Sequence, residues 1–255
     1  MPKQSNFVWY ELMTSDLAAA ETFYKTVIGW NIERWPGDMP YVIGKAGDRG
    51  VVGMMTIPEE AKAMGARPIW LPFIYTDNVD AETQSVQKAG GKILREPADI
   101  PEVGRFSVVT DPQGAVFNLF TPGMEEQPPL PDQTPGTIGW NELYAADGPS
   151  AFDFYASQFG WTKGEAMEMG GDMGVYQLFE IDGKLCGAVM TKPENVPVPM
   201  WSFYFWVDGL DAAIDRVKEG GGKTLMEPMQ VPGDSWIVNC VDPQGALFSL
   251  VSMKR

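Results

Sequence analysis

Short runs of alternating apolar and polar residues recur along this chain, separated by turn residues. The run Phe7–Thr14 alternates as a half-buried strand does, and Asp16 can cap a helix that continues to about Ile28 and ends at Gly29. The order strand, helix, strand, strand is then repeated, which predicts an α+β module. The other predicted elements are strands at 41–43, 51–56, 69–76, 105–110 and 115–120, and a helix at 80–89.

The whole pattern returns in the second half of the chain. Most matches are 131 residues apart (140 − 9 and 242 − 111), and only the middle drifts, where Gly53 is matched with Gly187 (187 − 53 = 134). The spacing between matched residues thus grows by three in the middle of the module and returns to 131 further along the chain, as is typical of hairpin loops of unequal length. The matched segments are Trp9–Leu12 with Trp140–Leu143, Phe23-Tyr24 with Phe154-Tyr155, Gly29-Trp30 with Gly160-Trp161, Trp70 with Trp201, and Asp111–Ala115 with Asp242–Ala246.

The repeat predicts two modules, at residues 1–122 and 137–255, joined by a linker at 123–136. The linker is rich in proline, which sustains neither a helix nor a central strand. Half of such a module cannot bury both faces of a curved sheet, so two halves should pair to close the sheet into a cup with helices outside.

Composition narrows the possible functions. The formal net charge is −15, the opposite of the basic footprint that nucleic acids require, and no apolar run is long enough to span a membrane. The N-terminus lacks the features of a signal peptide, so we expect a cytoplasmic protein. Histidine, the commonest metal ligand and the usual general base, does not occur in the sequence.

Three repeated motifs carry a resemblance to a known family: the TSDL…FY…GW segment, the TDNVDA…KAGGK segment and the DPQGA turn. Over essentially the whole chain they resemble the vicinal-oxygen-chelate superfamily, which contains glyoxalases, bleomycin-resistance proteins and extradiol dioxygenases. The opening WxEL is most similar to the tandem glyoxalase-like proteins of bacteria. The resemblance implies a cup-shaped mixed sheet built from paired βαβββ units, and a divalent metal held in the cup by His and Glu.

The residues at the family's ligand positions depart from that pattern. The first position is Trp9 in module one and Trp140 in module two, and the second is Leu71 and Ser202. The third is Asn118 and Ser249. Indole and aliphatic side chains have no lone pair with which to coordinate a metal ion, and neutral oxygens are weak ligands for transition metals. We therefore expect no metal and no cofactor.

Two carboxylates should point into the cups. Strand alternation puts Glu11 on the same face as Trp9, and Glu142 on the same face as Trp140. A carboxylate in an apolar cup can serve as a general acid or base. The alternative, which we favour because both modules keep this residue, is a structural Glu that bonds the backbone or pairs with an Arg.

Differences between the copies offer further candidates for ligand binding. Module one has Arg105 near its last hairpin, where module two has Trp236. Module two also has Trp201 and Trp206, which with Trp236 could line a site for a planar or cationic molecule. Trp70, the counterpart of Trp201, is a further ligand-binding candidate in module one. Core packing is the alternative for these tryptophans and the one we favour.

Three functions therefore remain open. The first is a metal-free protein that binds a small, partly aromatic or cationic molecule, as bleomycin-resistance relatives sequester drugs. The second is an enzyme (a lyase, isomerase or hydroxylase-like protein) that uses Glu11 or Glu142 as acid or base. The third is a non-catalytic interaction module. We expect no nucleic-acid or membrane partner, and either a monomer or a homodimer.

Overall fold

The computed structural model describes residues 5–36, 39–123, 128, 130–170 and 174–255. Module one contains β1 (Phe7–Thr14), α1 (Leu17–Ile28), β2 (Asn31–Arg34), β3 (Tyr41–Ala46), β4 (Arg49–Thr56), α2 (Glu59–Ala63), β5 (Ile69–Tyr75), α3 (Val79–Lys88), β6 (Lys92–Ile100), β7 (Gly104–Thr110) and β8 (Val116–Pro122).

Module two follows the same order among its described residues, except that the short helix α2 has no counterpart and that two short strands take the place of β6. It contains β9 (Ile138–Ala145), α4 (Gly148–Phe159), β10 (Thr162–Glu168), β11 (Val175–Ile181), β12 (Lys184–Thr191), β13 (Met200–Trp206), α5 (Leu210–Glu219), β14 (Lys223–Thr224), β15 (Met229–Gln230), β16 (Trp236–Val241) and β17 (Leu247–Ser252).

Each module forms one open mixed sheet. The strand order is β2-β3-β4-β1-β5-β8-β7-β6 in the first and β10-β11-β12-β9-β13-β17-β16-β14 in the second, where β15 also pairs with β16. Parallel pairs, such as β1 with β4 and β5 with β8, lie in the middle of the order, and antiparallel hairpins lie outside them. The predicted tandem α+β organisation is therefore confirmed.

The structure adds strands that the hydrophobic pattern does not show. β2 and β6 complete each half of module one as a βαβββ unit, where the pattern predicted one strand fewer. Both lie at the edges of their sheet, and both are mostly exposed or half-buried. Because neither strand has a fully buried face, neither produces the clear alternation on which the prediction depended.

The helix ends explain several repeated motif residues. Asp16 caps α1 by accepting a hydrogen bond from the Ala19 amide at 3.0 Å, and Gly29 ends the helix in the left-handed conformation at φ 88°. In α4, Asp147 is the N-cap residue and Gly160 ends the helix in the left-handed conformation. The spacing between the Asp and the Gly-Trp pair is thus the length of one capped helix.

The chain packs into two compact units that do not coincide with the two modules. One unit consists of residues 1–8, Leu71–Pro128 and Asn141–Trp201. The other consists of Trp9–Trp70, Pro129–Trp140 and Ser202–Arg255. Each unit therefore combines a βαβββ unit from one module with a βαβββ unit from the other.

A buried tyrosine–aspartate contact, here called a Tyr–Asp lock, ties the two parts of the Trp9–Trp70 unit together. The Tyr24 hydroxyl donates to Asp242 Oδ2 at 3.1 Å, and Trp70 Nε1 donates to the Tyr24 oxygen at 3.0 Å. Asp242 Oδ1 in turn accepts from the amides of Gln244 and Ala246 at 2.9 and 2.8 Å. One lock thus joins α1 of module one to the DPQGA turn of module two.

The other unit contains a second Tyr–Asp lock with the modules exchanged. Tyr155 lies 3.4 Å from Asp111 Oδ2, and Trp201 Nε1 donates to the Tyr155 oxygen at 3.2 Å. Asp111 Oδ1 accepts from the amides of Gln113 and Ala115 at 2.8 and 2.9 Å. The repeated FY, Trp and DPQGA motifs therefore hold the fold together.

The described ends of the predicted linker are hydrogen-bonded. The Gly123 amide donates to the Val103 carbonyl at 2.9 Å. The Gly136 amide donates to the Trp206 carbonyl at 2.8 Å, and its carbonyl accepts from Trp30 Nε1 at 2.8 Å. Linker residues 124–127 and 129 lie outside the described residues. Across the described ranges, no helix is long and apolar enough to cross a membrane.

Candidate functional site

Four residues on three neighbouring strands form the candidate site of module one, which we call the Trp9–Tyr41 cluster: Trp9 and Glu11 on β1, Tyr41 on β3 and Gly53 on β4. Trp9, Glu11 and Tyr41 are half-buried, whereas Leu12 on the opposite face of β1 is fully buried. Strand alternation therefore places the cluster on the accessible face of the sheet.

The tyrosine of this cluster rests in a notch that only glycine provides. Trp9 Nε1 donates a hydrogen bond to the Tyr41 hydroxyl oxygen at 3.0 Å. A β-carbon added to Gly53 would lie 1.8 Å from that oxygen, which is far inside contact distance, and 3.0 Å from Trp9 Nε1. Tyr41 can hold this position because residue 53 has no side chain.

The chemical environment keeps the phenol neutral. Burial raises the pKa of Tyr41 well above its usual value, and the negative charge of Glu11 and its hydrogen bond with the Tyr41 side chain raise it further, while the hydrogen bond from Trp9 opposes these effects. A neutral phenol beside a carboxylate can donate a hydrogen bond but is not a base near neutral pH.

Module two holds the corresponding pair in a more buried setting. The Tyr176 hydroxyl donates directly to Glu142 Oε1 at 2.6 Å, and Glu142 is only 4% exposed. Glu11 pairs in register with Gly53, whereas Glu142 pairs with Ala188. The glycine notch of module one is therefore filled by a methyl group in module two.

This register corrects the alignment of the repeat. Gly53 corresponds to Ala188 and not to Gly187, so the drift in the middle of the module is four residues (188 − 53 = 135) and not three. With the same offset Tyr41 falls on Tyr176 (176 − 41 = 135). Sequence reasoning missed both tyrosines, and an offset of 135 across these strands is the signal that would have found them.

The remaining ligand-position residues lie in the protein interior, except for Trp140, which is half-buried on β9. Asn118 is 2% exposed and donates from Nδ2 to the Pro72 carbonyl at 3.3 Å. Ser249 is 1% exposed and its hydroxyl bonds Asn239 Oδ1 at 3.2 Å. Leu71 and Ser202 are buried as well.

The two tryptophans predicted to bind a ligand are core residues. Trp70 and Trp201 are each 1% exposed, and the N–H group of each belongs to a Tyr–Asp lock. Both pack against other aromatic rings, for example Trp70 against Phe205 with ring centres 5.1 Å apart. Both positions favour the packing interpretation because neither ring reaches solvent, and the ligand-binding role of the two tryptophans stays a prediction.

Arg105 also has a structural partnership in place of an open site. Its guanidinium binds both oxygens of Asp80, at 2.7 and 2.8 Å, and Asp99 at 2.9 Å. These bonds raise the pKa of Arg105 and lower the pKa of the Asp80 carboxyl. Two carboxylates thus balance the positive charge that was predicted to serve a ligand.

One face of Trp236 is covered by the C-terminal residue. The Arg255 guanidinium lies 5.0 Å from the centre of the Trp236 ring and also bonds Asp211 at 2.9 Å. The predicted aromatic lining of Trp201 and Trp236 is therefore divided between a buried core residue and a surface cation–π pair.

Comparison with known proteins shows the family to which the chain belongs. The profile described as the Glyoxalase/Bleomycin resistance protein/Dioxygenase superfamily matches residues 6–119 and again residues 137–250. The chain belongs to this superfamily. The two matches agree with the tandem arrangement of this glyoxalase-superfamily protein.

Relatives and solved structures match over almost the full length. A Mycobacterium tuberculosis protein named "Putative glyoxylase CFP32" is 32% identical over 98% of both chains. The anthracycline biosynthesis protein DnrV of Streptomyces peucetius is 28% identical over 97% of this chain and 93% of its own. The 2,2',3-trihydroxybiphenyl 1,2-dioxygenase of Sphingomonas wittichii strain RW1 shares the fold, with a TM-score of 0.68, 15% identity and coverage of 98% and 90%.

A metal is implied by some structures of this fold, such as the Mn(II)-bound glyoxalase from Novosphingobium aromaticivorans (TM-score 0.63, 19% identity, covering 99% of this chain and 83% of that one). The side chains at the corresponding positions of this chain do not fit such a metal. The three ligand positions that the motifs place in each module carry indole, aliphatic, amide and hydroxyl groups, which cannot replace imidazole and carboxylate. Within the described ranges, no three His, Cys, Asp or Glu residues are grouped as a metal site requires.

Proposed function

We propose that this member of the superfamily is a metal-independent protein that binds a small, partly aromatic molecule. The observation that carries the proposal is the Trp9–Tyr41 cluster, where the family's first ligand position holds an indole whose N–H is bonded to a neutral phenol. Aromatic faces bind planar or cationic molecules without a metal.

Three further observations support this proposal. The net charge of −15 raises the local concentration of cationic ligands. The relative named for anthracycline biosynthesis is connected by that name to planar aromatic compounds, which aromatic side chains suit. The family description itself includes bleomycin resistance proteins.

The test compares small molecules and metals by label-free thermal unfolding of the full chain. Ligands that bind the folded state raise the midpoint in proportion to ln(1 + [L]/Kd). We expect aromatic compounds, with doxorubicin as the first probe, to raise the midpoint, and Zn²⁺, Mn²⁺, Ni²⁺ and Fe²⁺ to leave it unchanged.

Metal content of the purified protein provides the control. A stoichiometric transition metal whose removal by a chelator lowers the midpoint would contradict metal independence. A panel of aromatic compounds without any effect would contradict small-molecule binding of this kind.

A further inference from the structure

Three phenylalanines and one arginine form a second accessible surface in module one, which we call the Arg95–Phe106 platform: Phe73 on β5, Arg95 on β6, Phe106 on β7 and Phe120 on β8. In register, Phe106 lies opposite Phe120. The neighbouring pair, Ser107 and Leu119, points to the other face and is fully buried. Because Phe106 and Phe120 are half-buried, the platform occupies the accessible face of these strands.

The aromatic rings of the platform pack against one another. The ring centres of Phe73 and Phe106 are 6.4 Å apart in a stacked arrangement, and those of Phe73 and Phe120 are 5.7 Å apart, edge to face. Phe73 is only 5% exposed, so it forms a buried base for the two half-buried rings. A planar molecule can therefore pack on Phe106 and Phe120 without first ordering them.

Arg95 adds a positive charge to this surface. Its guanidinium lies 4.7 Å from the centre of the Phe106 ring, and the residue is exposed. In the part of the chain that the structure describes, no carboxylate bonds Arg95, whereas Arg105 on the neighbouring strand bonds two. A guanidinium whose face lies on a ring keeps the N–H groups of its edge for another acceptor.

These features suit an aromatic carboxylate. A carboxylate accepts two parallel hydrogen bonds from a guanidinium edge, while the ring that carries it packs on the phenylalanines. One guanidinium balances the single charge of a carboxylate, whereas a phosphate monoester carries about −1.5 to −2 at pH 7 and would stay partly unbalanced. The net charge of −15 acts at longer range and is screened beyond about 10 Å in 0.1 M salt, so it does not cancel a direct contact with Arg95.

Module two lacks the platform. At an offset of 131 residues, Met226 takes the place of Arg95 (226 − 95 = 131). With the same offset, Ile237 takes the place of Phe106 (237 − 106 = 131), and it pairs in register with Val251, so two aliphatic side chains replace the two rings. The positive charge and the aromatic surface are therefore both specific to module one.

We infer that module one binds an aromatic carboxylate on this platform, with Arg95 bonding the carboxylate and Phe106 packing against the ring. The platform lies within the compact unit that contains Leu71–Pro128, whereas the Trp9–Tyr41 cluster belongs to the other unit. The inference therefore goes beyond the proposed function and can fail separately from it.

Isothermal titration of the full chain with two matched probes tests the inference. 2-Naphthoate carries a carboxylate, and 2-naphthamide has the same rings with a neutral amide in its place. We expect the protein to bind 2-naphthoate about tenfold more tightly than 2-naphthamide, which is the size of one charge-assisted contact.

Variants then locate the carboxylate site. Arg95→Met introduces the residue of module two and should remove the preference for 2-naphthoate over 2-naphthamide. Arg67→Met, at an exposed arginine in the other compact unit, changes the net charge equally and should keep the preference. Phe106→Leu should weaken the binding of both probes by a similar factor, because it removes a ring on which they pack.

Equal affinity of the wild type for the two probes would overturn the inference, and so would loss of the preference in Arg67→Met as well as in Arg95→Met. Binding of neither probe would also overturn it, while a rise of the unfolding midpoint with doxorubicin would still support the proposed function. Circular dichroism checks that each variant is folded. Because Arg95 is exposed, Arg95→Met keeps the test decisive even if Phe106→Leu unfolds.

Discussion

The two Tyr–Asp locks and the two Glu–Tyr pairs are the most informative comparison in this molecule. The locks are close copies: in each, a buried tyrosine joins an aspartate of the DPQGA turn and accepts a bond from a buried tryptophan. The Glu–Tyr pairs come from equally repeated residues, yet their surroundings differ: Glu142 is 4% exposed and lies beside Ala188, whereas Glu11 is half-buried and lies beside Gly53. The locks are therefore alike in both units, while the surroundings of the Glu–Tyr pairs are not.

The largest expected effect comes from breaking the locks. Trp70→Ala and Trp201→Ala should each destabilise the protein by about 3–5 kcal/mol, because each removes a fully buried ring and a donor to a buried tyrosine. Urea unfolding measures both, with Trp35→Ala, 39% exposed, as control. A loss of stability in one variant but not in the other would show that the two locks are not equivalent.

The Glu–Tyr pairs should respond unequally to removal of their hydroxyls. Tyr176→Phe takes a donor from the nearly buried Glu142 and should cost about 2 kcal/mol, near the cost of losing a bond to a buried charge. Tyr41→Phe removes a hydroxyl that bonds Trp9 and the half-buried Glu11, and should cost less, about 1 kcal/mol, because Glu11 remains closer to solvent. Equal losses in urea unfolding would mean that the two pairs do not differ in the way described here.

The aspartates of the locks predict a dependence of stability on pH. Burial raises the pKa of Asp111 and of Asp242, against the lowering effect of their hydrogen bonds. Since a raised folded-state pKa favours the protonated form, each contributes stability that is complete below about pH 3.9 and is lost as the pH rises through the folded-state value.

Asp111→Asn and Asp242→Asn should remove that contribution equally. Urea unfolding from acidic to neutral pH should show wild type losing stability relative to each variant as the pH rises. Asp48→Asn, at an exposed turn, is the matched control and should run parallel to wild type. A relative gain for wild type with rising pH would contradict the assigned direction.

The smallest effect is expected at the surface. Arg105→Ala breaks ion pairs that are exposed to solvent, and such pairs are screened by salt. The midpoint of unfolding should fall only slightly at low ionic strength, and the difference from wild type should disappear in high salt. A large loss that persists in salt would show that Arg105 does more than hold surface carboxylates.

Much of the fold was predictable from the sequence because it depends on local patterns. The capped helix from Asp16 to Gly29, the strand Phe7–Thr14 and the repeat itself follow from short-range spacing. The edge strands β2 and β6 were missed because a strand without a buried face has no such pattern.

The sequence by itself determined the tandem modules, their family and the absence of histidine from the ligand positions. Only the tertiary structure decided that each compact unit draws on both modules, that Trp70 and Trp201 belong to locks, and that Tyr41 lies above Gly53. The reason is physical: a helix cap or a strand period is written in neighbouring residues, whereas a contact between Tyr24 and Asp242 depends on how distant segments pack.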